Sequence, residues 1–340
     1  MAKLAGVAPI TVSRVLNAPD SVAKETLRRV RDAIDRTGYV PNLLAGGLAS
    51  SRSRLIAAVV PTIASPVFQD TWGALTETFA NAGYQVTFGQ TGYGDAPEDA
   101  LLDPIIARRP DGIVLTGIMR SPRARLRLLA AGIPVCETWD LTPTPIDMLV
   151  GFSHERIGAA VAEYLYAKGR RRIAVITAAD ERARRRASGL TAAAVRLGIA
   201  TALAPQLPTF MAPAPGTLGS GRKGLADLLE RHPAIDAVFC SSDMLALGAI
   251  VEAQARGVPV PDAVAMVGYG DLNFAADTVP SLTTVSVDGP AIGRLAARLI
   301  IERAQGRSVA DPIVDVGFSI IQRASSSLTV SRCPLDHFAT

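Results

Sequence analysis

From Leu55 onward, short apolar runs bounded by turn residues alternate with stretches whose apolar positions recur at helical spacing. The runs "LIAAVVP", "YQVTFGQ", "DGIVLTG" and "IPVCET" predict strands, with helices near 67–82, 97–108 and 121–131. A second series follows: "RIAVITA", "AVFCSSD", "VAMVGYG" and "LTTVSV", with helices near 154–168, 183–197, 221–231 and 243–256. Strands rich in Val, Ile and Ala, each followed by a helix, predict an α/β body of parallel sheets covered on both faces. Two such series make two lobes. Ligands of open α/β sheets bind beyond the carboxyl ends of the strands.

The first forty residues carry a different pattern, that of three short helices. Met1–Ala5 gives one and Gly6-Val7 a turn, glycine being suited to positive φ. Pro9–Leu16 gives the second, because proline is tolerated at a first helical position. The third runs from about Ala23 to Thr37, with Ser21 as N-cap and Gly38 as stop. Ala23, Leu27, Val30, Ala33 and Ile34 form its apolar face, and Val12, Val15 and Leu16 the matching face of the second helix. So few apolar residues make a small core.

Composition narrows the class. A chain of 340 residues with 49% hydrophobic and 19% charged residues suits two or three compact units with buried cores. Cys136, Cys240 and Cys333 lie too far apart for a disulfide framework or zinc site, which favours reduced thiols in the cytoplasm. Neither a signal peptide nor a membrane-spanning apolar stretch is evident. Charge is uneven: residues 1–54 hold nine Lys/Arg against four Asp/Glu, whereas the rest hold 26 against 27. A basic excess confined to one end points to a polyanion, most often nucleic acid. On charge alone, a solvated basic face with no partner competes with that reading.

Taken together, "KLAGVAPITVSRVLN", "TGYVPNLLAGGLAS" and the body behind them resemble the LacI/GalR family of bacterial transcription regulators, from residue 1 to about 325. The resemblance implies a helix-turn-helix head (1–40) whose second helix lies in the DNA major groove. Pro9, Ile10 and Arg14 would then face base edges, with Thr11, Ser13 and Asn17 near phosphates. The fork of Arg14 can take guanine O6 and N7 together, worth roughly 1–3 kcal/mol of discrimination, while Ile10 offers apolar contact such as to a thymine methyl. Residues 41–54, "PNLLAGGLASSRSR", match the family's hinge, in which a helix from each of two subunits enters the minor groove. The wedging leucine falls at Leu48, and Asn42 joins the expected DNA contacts. Gly46 and Gly47 each weaken a helix by roughly 0.8–1 kcal/mol relative to alanine, so this segment is expected to fold only on DNA. From composition alone, a plain flexible linker fits equally well. Family members usually carry several more residues before "MAKLA", so a start further upstream is expected.

For residues 55–325 the resemblance implies a periplasmic-binding-protein-like body with the effector between its lobes. Lobe 1 would span about 55–152 and 288–316, and lobe 2 about 153–287 and 317–325, with crossings near Phe152, Val287 and Gly317. By position, Arg186 in "RARRRASGL" matches the family's effector-binding arginine. Ser65, Pro66, Glu137, Phe152 and Ser242 match cleft-lining positions. Each also has a plainer reading: Arg186 as one member of a basic helix, Phe152 as a core aromatic. For Asp243, beside Ser242, a helix N-cap is favoured. In "VGYGD", Gly270 stands where many sugar-binding members have an aspartate, with Asp271 one step later, and Val287 replaces a commonly polar position. Losing a carboxylate from a cleft that keeps Arg186 lowers the penalty for an anionic ligand. "VVPTIASPVFQD" and "ETWDLTPTPIDMLVGFSHE" further resemble the gluconate-utilisation repressors of that family. Gluconate, a ketogluconate or phosphogluconate is the implied effector.

Signs of catalysis are thin. His154, His232 and His337 are scattered, and neither G-x-S-x-G nor H-E-x-x-H occurs. "GSGRKG" (219–224) fits G-x-G-x-x-G, but it follows the Pro-rich "PTFMAPAPGTL" rather than an evident strand, so a loop opening a helix suffices. The expectation is a homodimeric, cytoplasmic DNA-binding repressor released by a sugar acid. It needs a near-palindromic operator but no cofactor, metal, membrane or catalytic residue. An effector-binding body without a competent head, or a transport-type sugar-binding module, is the alternative. The tail, 326–340, has no leucine heptad and reads as a frayed end.

Overall fold

The apolar runs of the body become strands of two six-stranded sheets, all of them internal except "YQVTFGQ", which lies at an edge. The computed structural model describes residues 1–40, 53–92, 98–200 and 206–327, in two units, Met1–Ser53 and Arg54–Thr340. Expectations for Asn42 and Leu48 lie outside the described residues, as does the side chain of Asn17.

In the first unit, helices α1 (Ala2–Ala5), α2 (Pro9–Asn17) and α3 (Lys24–Thr37) pack Ala5, Val12, Val15, Val30 and Ala33 into one small core. Leu16, expected in that core, is 37% exposed, because Val12 and Val15 already take the buried side of a short helix. Ser21 does not cap α3. It ends a 3₁₀ turn, Pro19–Ser21, and its hydroxyl donates to the Ala18 carbonyl, leaving Ala23 at the N-cap. Gly6, at φ +61°, closes α1 in the left-handed conformation. Arg29 reaches across from α3, its Nη2 donating to the carbonyls of Ala5 (2.6 Å) and Gly6 (2.7 Å). A cation thus satisfies the orphan acceptors at a helix end and fixes the turn before α2.

The second unit runs β1 (Leu55–Val60), α4 (Gln69–Asn81), β2 (Gln85–Gln90), α5 (Glu98–Ala107), β3 (Gly112–Thr116), α6 (Pro122–Ala131), β4 (Val135–Thr138) and β5 (Met148–Gly151). It continues through α7 (His154–Ala167), β6 (Ile173–Ala178), α8 (Glu181–Arg196), β7 (Thr209–Ala212), α9 (Leu218–Arg231), β8 (Ala237–Cys240), α10 (Asp243–Ala255) and β9 (Ala265–Tyr269). Last come β10 (Thr283–Ser286), α11 (Gly289–Ala304), β11 (Ile313–Asp315) and β12 (Ser319–Ile321). The first sheet, ordered β11-β5-β4-β3-β1-β2, is parallel throughout. The second, β12-β10-β9-β8-β6-β7, is parallel except for β12. The chain therefore passes between sheets after β5, after β10 and after β11. Strands covered on both faces lose alternation, and every residue of β6 and of β9 is buried. Burial pushes the thiols of Cys136 and Cys240 well above the ordinary range, so both stay protonated.

Glycines set the closest helix approaches. A Cβ on Gly158 of α7 would lie 1.9 Å from the Arg186 carbonyl oxygen of α8, and one on Gly189 would lie 2.1 Å from that of Glu155. These two helices touch backbone to backbone. The same device explains "GSGRKG", which lies inside α9 instead of opening it: a Cβ on Gly221 would sit 2.1 Å from the Leu245 carbonyl of α10. A strand does precede it, β7, but residues 213–217 intervene and Thr217 caps the helix. Gly221 thus serves helix packing, and Gly224 lies against Phe210 and Ile176 of the sheet.

Candidate functional site

The surface of α2 is divided by helical period. Val12 and Val15 point into the head, while Pro9, Ile10, Ser13 and Arg14 are exposed and Thr11 is partly buried. Ile10 is 61% exposed, an apolar side chain held out in solvent beside Arg14. Such a face suits direct readout, where apolar contact and a guanidinium fork act on neighbouring base edges.

In the body, a cavity of about 340 Å³ opens where strands of both sheets end. Residues just past β1 (Thr62, Ala64–Phe68) and β4 (Trp139) form one wall. Residues past β6 (Asp180, Arg182, Arg186), β8 (Ser241, Ser242) and β9 (Leu272) form the other, with Tyr269 at the end of β9. These are carboxyl ends, as parallel sheets require. Of the expected residues, Ser65, Pro66, Arg186 and Ser242 line it.

Arg186, 5% exposed, is held on three sides. Its Nη1 donates to His154 Nδ1 (3.0 Å), its Nη2 to the Ser241 carbonyl (2.9 Å), and its Cζ lies 3.9 Å from the Tyr269 ring centroid. Only Nε lacks a partner. Burial lowers the pKa of Arg186, yet a guanidinium stays protonated, so this cation is held without a hydrogen-bonded carboxylate. Burial also pushes the Tyr269 phenol up to about 12, keeping it neutral.

His154 completes the support. Its Nε2 lies 3.0 Å from the Trp139 carbonyl, so Nε2 carries the hydrogen and Nδ1 accepts from Arg186. Burial first, then Arg186 and Arg182, hold its pKa well below 6.5. The unfolded chain therefore gains a proton near 6.5 that the folded chain refuses, and stability must fall as pH drops through that value. Between pH 7 and pH 5 the loss from this group is at most about 2 kcal/mol, at 1.36 kcal/mol per pH unit below 6.5. Urea unfolding at both pH values should show it as the difference between the native chain and His154→Gln, because the raised pKa of Asp243 acts in the opposite sense in both.

Trp139 adopts φ +63°, a conformation costing a non-glycine residue of order 1 kcal/mol, and so points to local constraint. Its ring packs edge-on to Phe68 (4.8 Å) and Phe152 (5.7 Å), and its buried Nε1 has no partner. Arg182 Nη1 is likewise buried and unpartnered, with Cζ 5.1 Å from the Phe68 ring centroid. Arg182, Arg186 and Trp139, each with one buried unpartnered donor, thus line a cavity whose one lining carboxylate, Asp180, spends Oδ1 on the Ala183 N–H as the cap of α8. What is missing is acceptors.

A second cavity of about 300 Å³ shares Pro66, Val67, Trp139, Tyr269 and Leu272 with the first. Asp271 lines this one, with Gln69, Asp70, Asn273 and Val287. Its carboxylate accepts from Arg323 Nη2 at 2.7 Å, and at φ +48° it follows Gly270, whose φ of +128° is glycine territory. A side chain at 270 would have to adopt that strained conformation.

Two expected residues lie outside both linings. Glu137 is fully buried in β4 and accepts from the N–H groups of Met119 and Ile146, both at 2.8 Å. It braces two loops of the first sheet. Phe152 is also fully buried, wedged between Trp139 and His154, and supports the cavity from behind. Asp243 does not cap α10. Ser242 does, accepting from the Leu245 N–H. Asp243 turns inward to accept from Thr284 Oγ1 (2.6 Å) and the Leu272 N–H (2.8 Å), and burial raises its pKa to about 6.

Sequence reasoning missed Arg182, although Arg182 and Arg186 stand four apart and so share a face of α8. The opposite signal, residue Arg185 between them, serves another purpose. It pairs with Asp140, which follows β4 of the first sheet, and with Glu155 at the start of α7. Arg120, past β3, also pairs with Glu181 at the start of α8 (2.7 Å). One helix therefore lines the cavity and ties the second sheet to loops of the first. Among the described residues, no helix is long and apolar enough to cross a membrane, and no group of His, Cys, Asp or Glu is arranged to hold a metal ion.

Residues 1–42 match the family described as bacterial regulatory proteins, lacI family, and residues 162–326 match a periplasmic binding protein-like domain. The chain is 38% identical over 327 residues to the HTH-type transcriptional regulator GntR of Pseudomonas aeruginosa, covering 96% of this chain and 94% of that protein. A LacI family transcriptional regulator from Silicibacter pomeroyi, solved by crystallography, aligns with a TM-score of 0.87 at 30% identity, over 96% of this chain and 97% of that one. The lac repressor dimer bound to operator and the anti-inducer ONPF shares the fold, with a TM-score of 0.82 at 23% identity, over 96% and 97% of the two chains.

Proposed function

Because the chain belongs to the LacI family of bacterial transcription regulators, we propose that it works as a homodimeric repressor whose grip on a near-palindromic operator is released by a sugar acid such as gluconate. It is a DNA-binding regulator and not an enzyme. The observation that carries the effector reading is the cationic lining: Arg182 and Arg186 stand against one lining carboxylate, Asp180, and Arg182 makes no hydrogen bond or ion pair among the described residues, which suits an anionic, polyhydroxylated ligand. The glycine at 270 adds to this reading by leaving out a carboxylate. Coupling follows if the effector favours a lobe arrangement that parts the paired hinge segments, since a ligand shifts an equilibrium only by its differential affinity. On DNA, Pro9, Ile10 and Arg14 would read bases, Thr11, Ser13 and Asn17 would contact phosphates, and Asn42 and Leu48 would act in the minor groove.

Fluorescence anisotropy on duplexes from the chain's own upstream region tests this. The expected result is tight, salt-sensitive binding that millimolar gluconate reverses. Arg14→Ala should weaken it by roughly 1–3 kcal/mol, about 5- to 150-fold, while leaving the salt slope nearly unchanged. Failure to hold any such duplex at low salt overturns the repressor reading; release by neutral sugars alone overturns the sugar acid.

A further inference from the structure

We infer that Arg182, rather than Arg186, reads the carboxylate of the effector and sets the preference for an acid over a neutral sugar. This rests on the sugar-acid reading above. The two arginines stand one turn apart on α8 and line the same cavity, but their hydrogen-bonding capacity differs. Arg186 has committed both terminal nitrogens, to His154 Nδ1 and the Ser241 carbonyl, and its plane is stacked on Tyr269. A carboxylate is held best by two parallel N–H groups of one fork. Two of the five N–H groups of Arg186, one on each terminal nitrogen, are thus spent on the protein, which fixes its plane and leaves it the more committed of the two.

Arg182 has the opposite profile. It has no hydrogen bond or ion pair among the described residues, its Nη1 is buried without a partner, and its Cζ lies 5.1 Å from the ring centroid of Phe68. The ring of Trp139, whose Nε1 is also unpartnered, packs against the same phenylalanine at 4.8 Å. Arg182 and Trp139 therefore pack on one phenylalanine at the cavity, and Arg182 keeps its N–H groups uncommitted among the described residues. Among the lining residues, one carboxylate, Asp180, stands against the two guanidinium groups, so the wall itself favours an anionic ligand. Replacing Arg182 does not disturb the hydrogen bonds of Arg186, so the two roles can be separated by substitution.

Gluconate and gluconamide carry the same hydroxyls and differ in the charge of one end. Titration calorimetry of the full-length chain with each, on native protein, Arg182→Gln, Arg182→Lys and Arg186→Gln, tests the assignment. The native chain should prefer gluconate by about 10- to 100-fold, the value of hydrogen bonds to a charged group. Arg182→Gln should erase that preference while binding gluconamide as the native chain does, and Arg182→Lys should restore part of it. Arg186→Gln should weaken both ligands together. If Arg182→Gln keeps the native ratio, or the native chain binds amide and acid alike, the assignment to Arg182 is overturned. A native chain that binds neither, seen before any variant is made, overturns the effector reading and this assignment with it.

Discussion

Gly158→Ala should lower the body's melting temperature by roughly 10 °C and abolish the effector response, although residue 158 touches no ligand. The new Cβ would lie 1.9 Å from the Arg186 carbonyl oxygen and 2.5 Å from the Leu190 nitrogen, both backbone atoms that no rotamer change can clear. α7 and α8 must then move apart. Overpacking of this kind costs roughly 3 kcal/mol, and each kcal/mol moves the melting point of a domain this size by about 2–4 °C. The displaced helix is the one carrying Arg182 and Arg186, so the donors at the cavity shift with it. Gly73→Ala is the matched control. It lies in α4 with nothing within 4 Å of a new Cβ, and should be neutral or stabilising by about 1 kcal/mol. Equal melting temperatures for Gly158→Ala and the native chain would show that the helices do not touch as described.

Arg186→Met should produce a regulator that stays on its operator at every effector concentration, with affinity for the effector lowered about 100-fold or more. Its folding stability should nevertheless change by no more than about 1 kcal/mol, because two costs oppose each other. Removing the guanidinium strands the Ser241 carbonyl and His154 Nδ1, at about 1–3 kcal/mol each. It also removes a buried cation that no carboxylate hydrogen-bonds, whose desolvation costs several kcal/mol on its own. A role confined to the fold predicts the reverse, a large loss of stability with the effector response intact in whatever remains folded. Chemical denaturation paired with effector titration separates the two.

The long central strands were legible because burial on both faces leaves an unbroken apolar run, as in "RIAVITA" over β6. The elements that escaped are those whose stability comes from neighbours. β5, β11 and β12 have only three or four residues, and β7 hides in a Pro-rich stretch. α11 opens on Gly-Pro, which reads as a turn until Asp288 is seen to cap it. The cavity shows the same division. Arg186 was marked by its motif, and Arg182, four before it, went unnamed although helical period offered it, but nothing local joins Trp139 to Tyr269, which two sheets bring together across 130 positions. Glu137 and Asp243 went astray for one reason. An acidic residue at a strand end or helix start fits a cleft, a cap or an internal brace equally well, and only partners distant in sequence, Ile146 for one and Thr284 for the other, decide among them.

Arg185 alternates with two arginines that line the cavity, yet it grips Asp140 and Glu155 instead. Taste and stiffness are therefore encoded within a single turn of one rod. On the proposed reading, a lineage that retunes this pocket for another metabolite also drags on the brace holding both halves, so a new preference should arrive bundled with an altered threshold for letting go of the genome.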